Sequence, residues 1–318
     1  MTTVATQIKL TPEHNARPGV SMRSRLQDAL PKIVLAPSFA ITIVFVYGFI
    51  LWTVYLSFTN SKTFPSYALT GPRAYQRLWR WTFESDPPSS WYTSIINMGI
   101  FGFLYIFICL ALGLFLAILL DQKIRGEGML RPIYLYPMAL SFIVTGVAWK
   151  WFLDPGLGLE QTLHQWGWTS FHFDWIKNKD FVIYTVVIAG VWQASGFVMA
   201  MFLAGLRGID GEIMKAAQID GATTFQLYRR IVIPLLRPVF LSAFIVLAHL
   251  AIKSYDLVVA LTSGGPGGSA WLPSNFMYEY TFKRNEMAVG SASAVIMLMT
   301  ITAIIVPYLY SELRERPR

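Results

Sequence analysis

The sequence predicts an all-α integral membrane protein with six transmembrane helices, and three observations carry that prediction. Charged residues are 14% of the 318-residue chain and hydrophobic ones 54%, whereas an ordinary soluble domain carries about 25% charge. A soluble chain of this size would lack a wettable surface. Six runs approach or exceed the roughly 20 apolar residues that a spanning helix needs: residues 33–58, 95–120, 132–153, 181–206, 238–261 and 287–310. Lys and Arg are sorted unevenly between those runs. Segments 1–32, 121–131, 207–237 and 311–318 hold 16 of them; segments 59–90, 154–180 and 263–285, of equal total length, hold 8. Cytoplasmic loops retain Lys and Arg, so both termini are expected in the cytoplasm. The net charge of +8 is then a topological label rather than a sign of nucleic-acid binding.

Taken in order, residues 1–32 form a polar, basic cytoplasmic tail. Its first twenty residues read as disordered, and 22–32 as a short interfacial helix ended by Pro31. The run at 33–58 is too long for the apolar region of a cleavable signal peptide, so it is an uncleaved anchor and the first span. Residues 59–90 carry Trp79 and Trp81, which suggests a small packed cap. The second span holds the single cysteine, Cys109, which has no intrachain partner and reads as a small buried hydrophobe. The third span is interrupted by Pro137, Gly146 and Lys150; Lys150 and Asp154, one turn apart, suggest an interfacial ion pair. Segment 154–180, with Trp166, Trp168 and Trp175, reads as a second cap. The four histidines, His14, His164, His172 and His249, show no metal-ligand spacing, so no metal site is expected. After the fifth span, Ser263-Gly264-Gly265-Pro266-Gly267-Gly268-Ser269 lacks the Gly-Lys-Ser/Thr ending of a phosphate loop and reads as an external turn. The sixth span carries Pro307 near its end, where a missing amide costs little, and 311–318 is a second cytoplasmic tail. Residues 33–310 thus form one membrane domain between two tails.

The segment from Arg207 to Pro238, RGIDGEIMKAAQIDGATTFQLYRRIVIPLLRP, is the most informative. Asp210 can cap a helix whose first turn holds Glu212, favourable to the dipole. Ile213, Ala216 and Ala217 give it a small-residue face. Asp220-Gly221 marks its C-terminal turn. A second helix begins near Ala222, with Phe225, Tyr228, Ile231 and Val232 along one face. Pro234 is expected to stop it, and Pro238 to open the fifth span. On chemistry alone this is a helix-turn-helix at the cytoplasmic surface, either an amphipathic connector or a docking element.

KAAQIDGATTFQLYRRIVIPLLRP resembles the EAA loop of permease subunits from binding-protein-dependent ABC importers. Ala216, Ala217, Asp220, Gly221, Ala222, Ile231, Pro234 and Leu235 match the family pattern, while Lys215 stands where the family usually has Glu. YLSFTNS, FLDPGLGL, VWQASGFVMAMFLAGLRGID and SYDLVVALTSGGPG resemble sugar permeases related to the larger maltose permease subunit. IYLYPMALSFIVTGVAWKW and IIVPYLYSELR resemble, more narrowly, permeases of glucose/mannose-type aldose importers. The resemblance implies a coupling loop at 207–237 that docks in a cleft of a separate ATPase dimer. It also implies a second permease subunit, a periplasmic or lipid-anchored sugar-binding protein docking on the external caps, and a multi-pass location in the bacterial inner membrane. No nucleotide-binding motif occurs, so the chain is expected not to be an enzyme and to hold no cofactor. ATP and Mg would bind the partner ATPase, and no nucleic-acid partner is implied. Importers of an α-glucoside or of glycerol 3-phosphate are same-class alternatives, and a stand-alone secondary transporter a more distant one.

Ionisable groups inside hydrocarbon cost about 2.5–3.5 kcal/mol each on insertion scales and are functional candidates. His249, Lys253 and Asp256 fall on one face of a continuous fifth span, beside Ser254. They either line a translocation path or, as a Lys253–Asp256 pair, lock the span to a neighbour. In the fourth span Gln193 and Phe197, next to Trp192, offer an amide for hydroxyls and a face for stacking, or simple interhelical packing. Positions implied by the maltose-type resemblance fall on Gln193, Ala194, Phe197, Leu247, Leu250, Ala251 and Ser254, several of them apolar here.

Overall fold

The computed structural model describes residue 32 and residues 34–84, 90–122 and 126–315. The expectations for the N-terminal tail at 1–31 and for residues 316–318 lie outside them. The described chain is helical, with one isolated bridge between Thr59 and Leu69. Two units divide at Trp52 and Thr53. In the first lies most of α1 (Val34–Ser57), apolar throughout and interrupted by a π turn at Ile43–Tyr47.

The second unit contains α2 (Arg73–Glu84), α3 (Ser90–Asp121), α4 (Glu127–Ala139), α5 (Phe142–Phe152), α6 (Leu159–Gln165), α7 (Val182–Arg207), α8 (Gly211–Ile219), α9 (Thr224–Leu235), α10 (Arg237–Ile252), α11 (Asp256–Thr262), α12 (Pro273–Tyr278) and α13 (Met287–Glu315). Four helices, α1, α3, α7 and α13, are long and apolar enough to cross a membrane; the number reaches 6 if each bent pair counts as one span.

Two expected spans are not continuous helices. The run at 132–153 breaks between α4 and α5 with a bend of 100°. Proline lacks the N–H that an uninterrupted helix would use, and Pro137 stands two residues before the end of α4. Leu140 then goes extended, and the Ser141 hydroxyl caps α5 by accepting from Val144 N–H at 3.3 Å. The run at 238–261 stops at Ile252 and restarts at Asp256. There the Ser254 hydroxyl donates to the Leu250 carbonyl at 2.8 Å and Tyr255 N–H donates to the Lys253 carbonyl at 2.7 Å. Such local bonds compete with the regular ladder.

α7 is the buried centre of the bundle, with Val186, Val198, Met199 and Phe202 fully enclosed. Helices pack close in membranes where small residues let backbones approach. A Cβ on Gly113 of α3 would fall 2.6 Å from a Val198 methyl, and one on Gly146 of α5 would fall 2.6 Å from the Ala260 Cβ of α11. At Gly196 the approach is tighter: a Cβ would lie 1.7 Å from the Tyr134 carbonyl oxygen of α4. Cys109 is fully buried here, as a small hydrophobe.

The two segments expected to form caps contain helices α2 and α6, and the segment that follows the expected external turn contains α12. A second apolar cluster joins Leu78 of α2, Trp91 of α3, Phe276 of α12 and Ala292 of α13. Trp175 stacks on Phe173 with ring centroids 4.8 Å apart, whereas Trp166 is 80% exposed. The glycine-rich turn folds around Trp271. Gly264 has φ +92°, and its absent Cβ would collide with the indole at 2.6 Å. The Asn97 amide of α3 ties this turn down by donating to the Ser269 and Trp271 carbonyls at 2.7 and 3.0 Å.

Candidate functional site

The loop after α7 folds as its sequence dictates. The Asp210 carboxylate accepts from Glu212 N–H at 2.9 Å and caps α8. At the other end Gly221 has φ +81°. Gly221 N–H donates to Gln218 O at 3.1 Å and Ala222 N–H to Ala217 O at 3.0 Å. This is a Schellman motif, in which a left-handed residue just past the helix lets two trailing amides satisfy its last carbonyls. Ala217 and Ala222 are the pair of positions that such a turn brings together. The Ala-Ala, Asp-Gly-Ala spacing is therefore the recipe for one short helix with a tight stop.

Thr223 then opens α9 with a capping box. Its hydroxyl accepts from Gln226 N–H at 3.3 Å, and the Gln226 side-chain oxygen accepts from Thr223 N–H at 3.0 Å. Pro234 does not stop this helix. A π turn at Tyr228–Val232 precedes it, and α9 continues to Leu235 before bending by 63° into α10. The broader turn accommodates the proline by giving up regular i to i−4 pairing locally. Val232 and Leu227 are the buried anchors and Ile231 is half-buried, but Phe225, expected on the packed face, is 71% exposed. Ile219 is 85% exposed and Ile213 is exposed too, with Lys215 and Ala216 between them in the sequence. Alanine 217 is the buried member of the triplet.

At the root of this loop Glu127 of α4 forms ion pairs with Arg131 one turn on and with Arg207 at the end of α7, the latter at 2.5 Å. The pairs fasten the start of the broken span to the helix that feeds α8.

The polar residues read as either path-lining or packing groups sit on different elements. Gln193 is buried and its amide donates to the Leu140 carbonyl at 2.9 Å, so it holds the break between α4 and α5. Phe197 is half-buried against the main core. His249 lies in a narrow groove between α10 and α13 with Ile245, Ile301 and Ile305. Lys253 is exposed at the turn after α10, Ser254 is buried in that turn, and Asp256 is exposed in the first turn of α11. The helix ends between them, so His249, Lys253 and Asp256 do not share one continuous helical face. Among the described residues no ion pair joins Lys253 to Asp256 or Lys150 to Asp154; the Asp154 carboxylate accepts from Gly156 N–H at 2.8 Å instead.

Sequence reasoning missed an aromatic crevice of about 520 Å³ opened by the first break. Tyr134, Trp149, Trp192 and Ser195 line it, with Trp149 and Trp192 edge to face at 5.9 Å. Pro137 was the available signal. It also missed a cluster in the second cap, where Glu160, His164 and His172 each offer one ligand atom within 4.8 Å of the others. The histidine spacing concealed this because the chain reverses between them. The Phe173 N–H, followed by His172, holds the Glu160 carboxyl below its ordinary value.

The family described as the inner membrane component of binding-protein-dependent transport systems matches residues 109–315. A probable ABC transporter permease of Pyrococcus horikoshii is 41% identical over 290 residues, covering 90% of this chain and 97% of that one. A xylose/arabinose import permease of Haloferax volcanii is 37% identical over 65% of this chain and 66% of its own. In fold, the chain resembles a bacterial ABC transporter that imports the acidic polysaccharide alginate. That match has a TM-score of 0.77 at 16% identity and covers 93% of this chain and 99% of that one.

Proposed function

This chain belongs to the family of inner membrane components of binding-protein-dependent transport systems; from that membership we propose that it is one of two permease subunits of an importer, and from the resemblance of IYLYPMALSFIVTGVAWKW and IIVPYLYSELR to aldose permeases that the cargo is a glucose- or mannose-type aldose. It is a membrane-spanning subunit of the ABC sugar-permease kind. The observation that carries the proposal is the exposed surface of the coupling loop. Ile213, Ile219 and Phe225 are exposed on and beside a short helix whose two ends are both capped, which leaves apolar side chains available to a partner. An ATPase dimer is the occupant, and it holds the ATP and Mg. Closure of that dimer on ATP favours one state of the bundle by binding it more tightly, and α8 passes the movement to α7 and α10, to which its flanking segments are joined.

Both termini then lie in the cytoplasm, and the three external segments face a sugar-binding protein. The sugar crosses near the breaks in the third and fifth spans, because irregular backbone at membrane depth is tolerated where it lines a cavity. Gln193, Phe197, His249, Lys253, Ser254 and Asp256, with the crevice aromatics, are the residues to probe there. Relatives that carry pentoses, maltose or glycerol 3-phosphate keep an α-glucoside or glycerol 3-phosphate as the second reading. A phosphate substrate would call for more intramembrane cations than Lys150 and Lys253.

The test is reconstitution of the chain with its second permease subunit, ATPase and binding protein in liposomes. Calorimetry on the binding protein would compare glucose, mannose, xylose, maltose and glycerol 3-phosphate. ATP-dependent uptake of an aldose is expected. Uptake by this chain alone on an ion gradient would overturn the importer reading, and a binding protein that ignores every monosaccharide would overturn the aldose.

A further inference from the structure

The segment between α5 and α7 turns back on itself, so that Glu160 and His164, one turn apart on α6, meet His172 from the chain that follows. Three side chains of two types that bind metals offer ligand atoms within 4.8 Å of one another. The Glu160 Oε1 to His172 Nδ1 distance is 3.2 Å. Two ligands held at about 2.0–2.1 Å from one tetrahedral centre are separated by about 3.3 Å, so a metal that replaces the proton shared by Glu160 and His172 finds this edge already at a suitable length.

Two of the three side chains also make a backbone hydrogen bond. His164 Nε2 lies 2.7 Å from the Phe171 carbonyl oxygen, a contact that only a protonated Nε2 can make as a donor. The ring is thereby fixed with Nδ1 as its electron-pair donor. Glu160 Oε2 accepts from Phe173 N–H at 3.0 Å, which leaves Oε1 turned to His172. A backbone carbonyl behind a histidine and a hydrogen bond behind a carboxylate are the outer contacts that orient metal ligands.

We propose that Glu160, His164 and His172 form a zinc-type divalent metal site with a water-filled fourth position. Two imidazoles and one carboxylate suit zinc over the hard cations magnesium and calcium, which prefer all-oxygen sets. The side-chain exposures of 12% for Glu160 and 75% for His172 make it a rim site that a metal enters from solvent. A bound metal joins α6 to residues 171–173 and closes the loop that carries Trp166 and Trp168. It acts as a staple in the cap, independent of which sugar is carried.

The experiment uses the full chain in detergent, purified without a histidine tag and stripped with a chelator that is then removed. Zinc binding is measured by calorimetry, with cobalt(II) as the optical probe. One equivalent is expected to bind. His164→Ala, His172→Ala and Glu160→Gln should each raise the Kd at least tenfold and abolish the visible bands of tetrahedral cobalt. Asp174→Asn, which removes an exposed acid on the same segment, should leave both unchanged. His172 is mostly solvent-exposed, so His172→Ala keeps the fold, and circular dichroism checks this. Zinc binding by His172→Ala equal to wild type, or an Asp174→Asn loss as large as the His164→Ala loss, overturns the site.

Discussion

A Cβ placed on Gly221 would meet nothing within 4 Å, whereas one placed on Gly196 would land 1.7 Å from the Tyr134 carbonyl oxygen. Both glycines are indispensable to their surroundings, for opposite reasons. Gly221 is needed for its own backbone angle, in a turn whose every partner lies within six residues along the chain. Gly196 has ordinary helical angles and is needed because α4 presses its backbone against α7. The turn at Gly221 is thus locally determined, whereas the close approach at Gly196 is a product of tertiary contact. Substitutions that respect this distinction should separate the two regions cleanly.

The largest effect is expected at the close approach. Gly196→Ala forces α4 and α7 apart or strains the break that follows α4. Overpacking of this kind costs about 3 kcal/mol, the upper part of the usual range. Thermal unfolding in detergent, followed by tryptophan fluorescence, should show it. Gly211→Ala in the coupling loop, where a Cβ again meets open space, should change stability by less than about 0.5 kcal/mol. Equal melting of the two variants would break the comparison at its strongest point.

Next comes the amide that closes the break. Gln193→Leu removes the donor to the Leu140 carbonyl and leaves that oxygen without this partner, at a cost of about 1–2 kcal/mol. The loss should be accompanied by faster hydrogen exchange around residues 140–144, since the bond fixes where α4 ends. Unchanged exchange there would mean that Pro137 alone sets the break and that Gln193 is free for another role.

The same distinction decides what was legible in the sequence. Asp210 as a cap, Gly221 as a left-handed stop and the helix beyond Ala222 were all readable, because each depends on residues adjacent in the chain. The apolar runs were readable because lipid imposes their length. The interruption of the fifth span at Lys253 was not, since neither Gly nor Pro stands there and a serine hydroxyl bonding to Leu250 O is its local mark. The crevice beside Trp149 was half-legible through Pro137. The meeting of His164 with His172 was hidden, because only the reversal of the chain between them brings them together.

An effect of similar size but more local reach is expected at the surface turn. Gly221→Ala places an L side chain at φ +81°, which costs roughly 1–2 kcal/mol, and Gly221→Asn should cost less because Asn tolerates that region better. The damage should stay local. Exchange of the Gly221 and Ala222 amides should quicken, while the global melting temperature moves less than for Gly196→Ala. A global loss as large as the core variant's would show that the loop is bound to the bundle more tightly than its exposure suggests.

The smallest effect on stability, and the most informative for coupling, belongs to Lys215. Its side chain is exposed on α8 and has no ion pair among the described residues. Lys215→Glu should therefore shift unfolding by less than about 0.5 kcal/mol. The EAA pattern that this loop resembles carries Glu at this position, and on the proposed docking the reversed charge at Lys215 predicts a facing charge altered to match. A contact between opposite charges at about 4 Å in water contributes on the order of 1 kcal/mol, close to a fivefold change in docking. ATP-driven uptake with the cognate ATPase should fall by that factor in Lys215→Glu and recover when the facing charge in the ATPase cleft is reversed as well. Full uptake by the single variant would mean that Ile213, Ile219 and Phe225 carry the docking alone and that the charge at 215 has no partner.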